Sequence, residues 1–182
     1  QLLMRNRQVY TDSLTKVFNR RYCDDRLRRL SGEYALAMID IDNLKQINDC
    51  LGHPAGDTAI YHTAQAIRAI LRSQDELVRY GGDEFLLLFH SLPQNILRRK
   101  LEDICRAVRA LRVADLPELR ITVSIGGVYA AGQISELVES RSFRKLSALF
   151  GSYYKNQLSA DFIGREDYTN IYAFYHPIPV SY

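Results

Sequence analysis

Residues 76–90 constrain this chain most. Glu76–Tyr80 and Asp83–His90 are two extended apolar runs separated only by Gly81-Gly82. Two glycines between such runs predict a β-hairpin, because a tight turn needs positive φ at both central positions. Tyr34–Ile41 is a third apolar run, ending in acid as Asp40-Ile41-Asp42. Ser31-Gly32 stops the segment before it, and the run is too short for a solitary helix, so it predicts a buried strand. Ile121–Val128 reads as a β-branched strand broken by Gly126-Gly127, and Ile171–Phe174 as a last strand.

Helical patterns fill the intervals. Gln1–Tyr10 reads as the end of a helix, interrupted by the capping and turn residues Thr11-Asp12-Ser13. A short helix follows, with Val17, Phe18, Tyr22, Leu27 and Leu30 as core positions. Leu44–Cys50 gives one or two turns, and Gly52–Asp57 a glycine-rich loop. Thr58–Leu71 is an amphipathic helix burying Ile60, Ala64, Ile67 and Leu71. Pro93 opens a helix whose stripe is Ile96, Leu97, Leu101, Ile104, Val108 and Leu111. Ile134 to about Tyr154 reads as another helix. The order β-α-β-β-α-β with flanking helices predicts an α+β fold, a mainly antiparallel sheet backed by helices of the split βαβ kind.

Composition narrows the function classes. The 182 residues are 47% hydrophobic and 25% charged, an ordinary globular balance for one domain. The net charge of +3 does not call for a nucleic-acid partner. Residues 1–30 carry 8 Lys/Arg against 3 Asp, a solvated basic helix face. Cys23, Cys50 and Cys105 lie far apart with no CxxC pair, which argues against a zinc site or disulfide framework and fits a reducing cytoplasm. No apolar run approaches the roughly 18 residues of a membrane span. No signal peptide is expected, and the chain reads as a fragment of something longer.

Two places carry chemistry. Asp40 and Asp42 end a buried strand and share a side while the chain is extended. Asp83-Glu84 follow the Gly-Gly turn. If the two strands are neighbours, up to four carboxylates converge at one sheet edge. Such carboxylates repel one another unless protonated or neutralised. A divalent cation neutralises them, and Mg²⁺ prefers a few carboxylates plus substrate phosphates. Two such ions clamping a displacement at phosphorus fit the pattern. Asn43, Leu44 and Lys45 follow the acids, so backbone N–H groups at a helix start and one point charge are available for phosphate. Asn48 shares a helix face with Lys45, and its amide can read a nucleobase edge, as can the Asp57 carboxylate. Asp57 also reads as the N-cap of the helix starting at Thr58. His53 reads as a loop-packing residue.

These residues resemble a known family. Arg79–Phe85 reads RYGGDEF, the naming signature of the GGDEF diguanylate cyclases. Asp12-Ser13-Leu14-Thr15 with Asn19-Arg20-Arg21 is similar to the family's DxLT…NRR. Asp40–Asp49 resembles its DxDxFKxxND, Gly52–Asp57 its GHxxGD, and Ile121–Gly126 its ITVSIG strand. The resemblance covers about residues 11–139, with residues 1–10 as the end of a signalling helix and 11–182 as the domain.

The resemblance implies a nucleotidyl-cyclase or polymerase-palm-like fold that condenses two GTP into cyclic di-GMP, releasing two pyrophosphates, with two Mg²⁺ or Mn²⁺ per active site. It implies Asp40, the Ile41 carbonyl, Asp83 and Glu84 at the metals, with Asp83 as a further ligand or general base. Asn48 and Asp57 would bind guanine, and Lys45 with the Asn43–Leu44 backbone the phosphates. Gly81 and Gly82 would let the nucleotide lie close. Arg72-Ser73-Gln74-Asp75 resembles the family's RxxD inhibitory site, which makes Arg72 and Asp75 a product site. Arg suits guanine O6/N7 and phosphate, and Asp accepts from guanine N–H groups. The resemblance also implies a homodimer, an upstream sensor absent from this chain, and a cytoplasmic location, the whole protein being anchored in a membrane or not.

The C-terminus departs from the pattern. Leu44 replaces the family's common Phe, a small change. The usual ADxALYxAK helix followed by GRN is not reproduced. Ala148-Leu149-Phe150 resembles ALY, but Tyr153 falls where the Lys belongs. Lys155 and Arg165 are the substitutes for its triphosphate-binding Lys and Arg, with Arg144 and Lys145 as further ones. Residues 140–182 form a divergent segment, and 141–182 hold six of the twelve tyrosines and four of the seven phenylalanines. Three readings follow: an active cyclase, a receptor for GTP or cyclic di-GMP that turns over poorly, or a dimerisation partner with a vestigial site.

Overall fold

The computed structural model describes residues 9–27, 29, 31–133 and 171–174. The elements run β1 (Phe18–Asn19), α1 (Arg20–Leu27), β2 (Ser31–Ile41), α2 (Leu44–Leu51), α3 (His53–Ile70), β3 (Glu76–Arg79), β4 (Glu84–His90), α4 (Gln94–Arg109), β5 (Val123–Gln133) and β6 (Ile171–Phe174). Six strands form one sheet in the order β1-β3-β4-β2-β5-β6. Every pairing is antiparallel except β1 with β3. Leaving out the edge strands β1 and β6, this is the expected split βαββαβ arrangement of a palm-like fold, since β2 and β3 flank β4, which runs antiparallel to both.

The alternation in β2 sorts its side chains onto two faces. Ala35, Ala37, Ile39 and Ile41 pack with Phe85, Leu87 and Phe89 beneath α2, α3 and α4. Leu36 and Met38 pack with Leu86, Leu88, Val78, Cys23 and Leu27 beneath α1. Both faces of β2 are therefore covered, which is why this run is continuously apolar. The second face is apolar only at its centre. At one end Asp40, Glu84 and Ser124 stand in register, and at the other Tyr34 pairs with His90 while Glu76, paired with Leu88, shares their face.

Four local expectations change. Ser31-Gly32 does not stop a segment but starts β2, pairing with Gln133 and Gly132. Gly126-Gly127 does not break β5. Gly127 pairs with Ala37, and a Cβ there would lie 2.8 Å from Leu101 Cδ1, so the glycine lets α4 close onto the sheet. Gly52–Asp57 is not a loop: α3 begins at His53, with Gly52 at its N-cap (φ 87°) and Pro54 in its first turn. Asp57 thus lies inside α3 and is not its N-cap.

Two core assignments also fail. Ile96 is 41% exposed on α4, whereas Leu97, Leu101, Ile104 and Val108 are buried. Phe18 is 36% exposed and stacks on Tyr22 with ring centroids 3.7 Å apart. Leu30 and the helix expected over 134–154 lie outside the described residues, while β6 forms where Ile171–Phe174 predicts it. No described helix is long and apolar enough to cross a membrane. All three cysteines are free, and burial pushes the Cys23 thiol to about 12 and the Cys105 thiol to about 11.

Candidate active site

Register brings the acidic strand end to the hairpin. Asp40 on β2 pairs directly with Glu84 on β4, and the Ile41 N–H donates to the Asp83 carbonyl at 3.2 Å. Directly opposed residues share a face with Cβ atoms about 5 Å apart. Two carboxylates so placed are mutually unfavourable, and a cation between them removes the penalty. Asp42 lies one residue beyond β2, where its Oδ1 accepts from Ser124 Oγ at 2.7 Å and its N–H donates to the Thr122 carbonyl at 3.0 Å. Among the described residues no three His, Cys, Asp or Glu side chains gather as a metal cluster. The donor set is the smaller one: Asp40, Glu84 and nearby backbone carbonyls. That set fits Mg²⁺, which is held by one or two carboxylates plus substrate phosphates.

The hairpin turn is built differently from a two-residue turn. Tyr80–Asp83 link the strands, and the Tyr80 and Gly81 N–H groups both donate to the Glu84 carbonyl, at 2.8 and 3.2 Å. Neither Gly81 nor Gly82 has positive φ. A Cβ on Gly81 would lie 2.5 Å from Glu84 Oε2, so the carboxylate lies over the glycine and would have to move for any larger residue. Among the described residues nothing lies within 4 Å of where a Cβ on Gly82 would stand.

The positions expected to contact the nucleotide sit on α2 and α3. Asn43 precedes α2 in the left-handed region (φ 57°), which Asn tolerates better than most residues. Lys45 is exposed one residue into α2. Asn48 packs across the α2–α3 corner so closely that a Cβ on Gly56 would lie 2.0 Å from its Oδ1. Asn48 therefore lies against the turn of α3 that carries Gly56 and, next in sequence, the exposed Asp57.

A model of the family described as "Diguanylate cyclase, GGDEF domain" matches residues 9–140. The chain belongs to the GGDEF domain family. Diguanylate cyclase TpbB of Pseudomonas aeruginosa is 36% identical over 128 residues, covering 65% of this chain and 29% of that protein. Curated relatives of this kind are about three times longer than the matched stretch, which spans about a third of their length or less. Among solved structures, diguanylate cyclase SiaD of Pseudomonas aeruginosa, in complex with its activator SiaC, is 33% identical with a TM-score of 0.71, over 85% of this chain and 62% of that one. The coiled coil and GGDEF domain of DgcB from Caulobacter crescentus, in complex with c-di-GMP, is 29% identical with a TM-score of 0.71, over 85% and 86%.

One clamp in this GGDEF domain escapes single-sequence reading. Arg79 donates to the Gly82 carbonyl through Nη2 (2.8 Å) and Nε (3.2 Å), and to the Asp12 carboxylate through Nη1 (3.3 Å). Asp12 also accepts from the Thr15 N–H at 2.8 Å and Thr15 Oγ1 at 2.6 Å. The N-terminal turn is thereby tied to the hairpin that carries Glu84. Burial opposes ionisation of Asp12, but the Thr15 and Arg79 hydrogen bonds outweigh it and hold the carboxyl below its ordinary value. A depressed carboxyl stabilises the fold above its unfolded value near pH 4, and that contribution is lost as pH falls through the folded value. Asp12→Ala should cost about 2 kcal/mol at neutral pH, from hydrogen bonds to a charged group. In a pH series of thermal melts, this gap between wild type and variant should narrow as pH falls below about 4.

Arg72 and Asp75 are joined to each other. Arg72 Nη2 and Nε reach Asp75 at 2.7 and 3.1 Å, its N–H donates to Asp75 Oδ2 at 3.0 Å, and the Asp75 side chain has no exposed surface. The Asp75 hydrogen bond raises the Arg72 pKa. Arg72 Nη2 also donates to the His90 carbonyl at 2.9 Å, fixing the loop to the far end of β4. There the Glu76 carboxylate meets Tyr22 Oη (2.9 Å), Arg26 Nε (3.0 Å) and His90 Nε2 (2.9 Å). Burial first, then Glu76, pushes the Tyr22 hydroxyl to about 12, which keeps it a donor. Lys155, Arg165, Arg144 and Lys145 lie outside the described residues.

Proposed function

We propose that this domain is a diguanylate cyclase, condensing two GTP into cyclic di-GMP with release of two pyrophosphates. The observation that carries the reading is the direct opposition of Asp40 and Glu84 at the RYGGDEF hairpin. Asp40, Glu84 and the Ile41 carbonyl, with Asp83 beside them, would hold Mg²⁺ or Mn²⁺. Two bound ions would polarise the α-phosphate and offset the charge that develops on it.

The chain's own residues do the positioning. Asn48 and Asp57 fix the guanine edge. Lys45 and the Asn43–Leu44 backbone N–H groups hold the phosphates at the start of α2. Gly82 admits the nucleotide against the hairpin. Asp83 takes the proton of the 3′-hydroxyl that attacks the α-phosphate of the second GTP, and pyrophosphate leaves. One domain holds one GTP, so two copies must face each other and turnover depends on a homodimer. Arg72 and Asp75 form the product site, where cyclic di-GMP would arrest turnover. Within a longer protein, an upstream sensor would set how the copies meet.

The test is incubation of nucleotide-free chain with GTP and Mg²⁺ over a dilution series, with chromatographic separation of products. Cyclic di-GMP should form at a rate per chain that rises with protein concentration. No product at high concentration, with Mn²⁺ as well, would overturn turnover and favour the receptor role that the divergent C-terminus motivates.

A further inference from the structure

We propose that Arg20 is a further substrate-contacting residue: its guanidinium, held over the Tyr80 ring on the α1 side of the hairpin, binds a phosphate of the second GTP, the one carried by the facing copy. The assignment rests on the cyclase reading for the identity of that substrate.

The acid pair has two sides. Lys45, Asn48 and Asp57 belong to α2 and α3, which cover the sheet face of Ile39, Ile41, Phe85 and Leu87. Glu84 alternates with Leu86 and Leu88, so it stands on the other face, the one beneath α1. Arg20 opens α1, and the pairing of Asn19 with Arg79 sets that helix start beside the end of β3. Tyr80 follows Arg79, packs against the cluster on the α1 side, and donates its N–H to the Glu84 carbonyl at 2.8 Å. The Arg20 Cζ lies 4.7 Å from the centroid of the Tyr80 ring. One ring thus holds a cation next to the turn that carries the acids.

That cation has no counter-charge. Arg20 is exposed and enters no ion pair among the described residues, whereas Arg26, Arg72 and Arg79 are each paired with a carboxylate. Burial raises the Tyr80 hydroxyl pKa, while Arg20 lowers it and Glu84 adds to the rise, so both charges act on the same ring. A cation–π contact orients a guanidinium without using its N–H donors, which leaves the fork available to a phosphate. A nucleotide held from α2 and α3 leaves the α1 side of the acids to the second GTP, which must bring its 3′-hydroxyl to the α-phosphate. Its approach brings a second polyphosphate to an edge that already carries Asp40, Asp83 and Glu84, and an arginine fixed there offsets the charge.

Rates of cyclic di-GMP formation by Arg20→Ala test this, set beside equilibrium binding of α,β-methylene-GTP with Mg²⁺ to dilute chain. The α–β bridge of this analogue is not cleaved, so it reports binding alone. The rate at saturating GTP should fall about 10²-fold, the scale of one transition-state donor, while the analogue binds with wild-type affinity. The deficit should persist as protein concentration is raised. An unchanged rate would overturn the proposal. Analogue binding weakened as much as the rate would overturn it too, by placing Arg20 on the chain's own nucleotide. A deficit that closes at high protein concentration would overturn it by making Arg20 a dimer contact. No product from wild type would overturn the cyclase reading and this proposal with it. Arg20→Gln, which keeps a polar side chain over the ring, replaces Arg20→Ala if that variant does not fold.

Discussion

Glu84→Gln is expected to lower the rate of cyclic di-GMP formation by about 10²–10³-fold at saturating GTP, the scale on which one transition-state electrostatic group is felt. The change keeps the shape of the side chain and removes its charge. Glu84 faces Asp40 across the β2–β4 ladder and folds over Gly81, so it stands where a metal-bound phosphate would be held. Removing one of two opposed carboxylates also relieves their repulsion, so the melting temperature should be unchanged or slightly higher. Lost turnover with retained stability is the expected pair of readings. An unchanged rate would remove Glu84, and with it the two-metal assignment, from the reaction.

Gly56→Ala should raise the KM for GTP by at least about tenfold while leaving kcat at saturation little changed, the signature of lost substrate binding. Nothing in this substitution touches the acids. Its added methyl would lie 2.0 Å from Asn48 Oδ1, so the amide must swing away from Asp57. Alanine is the better helix former by about 1 kcal/mol inside α3, which offsets part of the crowding, so the fold should survive. Steady-state kinetics with GTP separates the outcomes. An unchanged KM would mean that Asn48 does not read guanine.

What single-sequence reasoning reaches here is local order, and what it misses is contact at long range or close quarters. The hairpin and the β2 strand were legible because both are apolar runs bounded by small residues. The Asp40 and Glu84 acids were legible from their motifs, and their register follows from β2–β4 pairing. The glycines misled. Gly81-Gly82 suggested positive φ, but Gly81 makes room for a carboxylate three residues on, and Gly127 makes room for Leu101 on another element. A glycine's neighbour in space leaves no trace in its neighbours in sequence. The same holds for Asp12 and Arg79, 67 residues apart, whose pairing depends on β1 lying beside β3. Ser31-Gly32 read as a stop because glycine breaks the helical segment before it, yet pairing with β5 carries a strand through both residues.

The seven-residue β4 carries Glu84 at its first position and His90 at its last. Its ends are about 20 Å apart at strand rise. Phe85–Phe89 between them are buried, and Phe85–Leu88 are paired to neighbours on both edges. Such a strand has almost no compliance: it is a strut, and it cannot bend to relay a signal from the loop of Arg72 to the acids. A ligand held at that loop and a substrate held at the hairpin would occupy separate ends of one rigid body. Communication between them would then be a matter of rigid-body orientation, of where one whole domain points when it meets another.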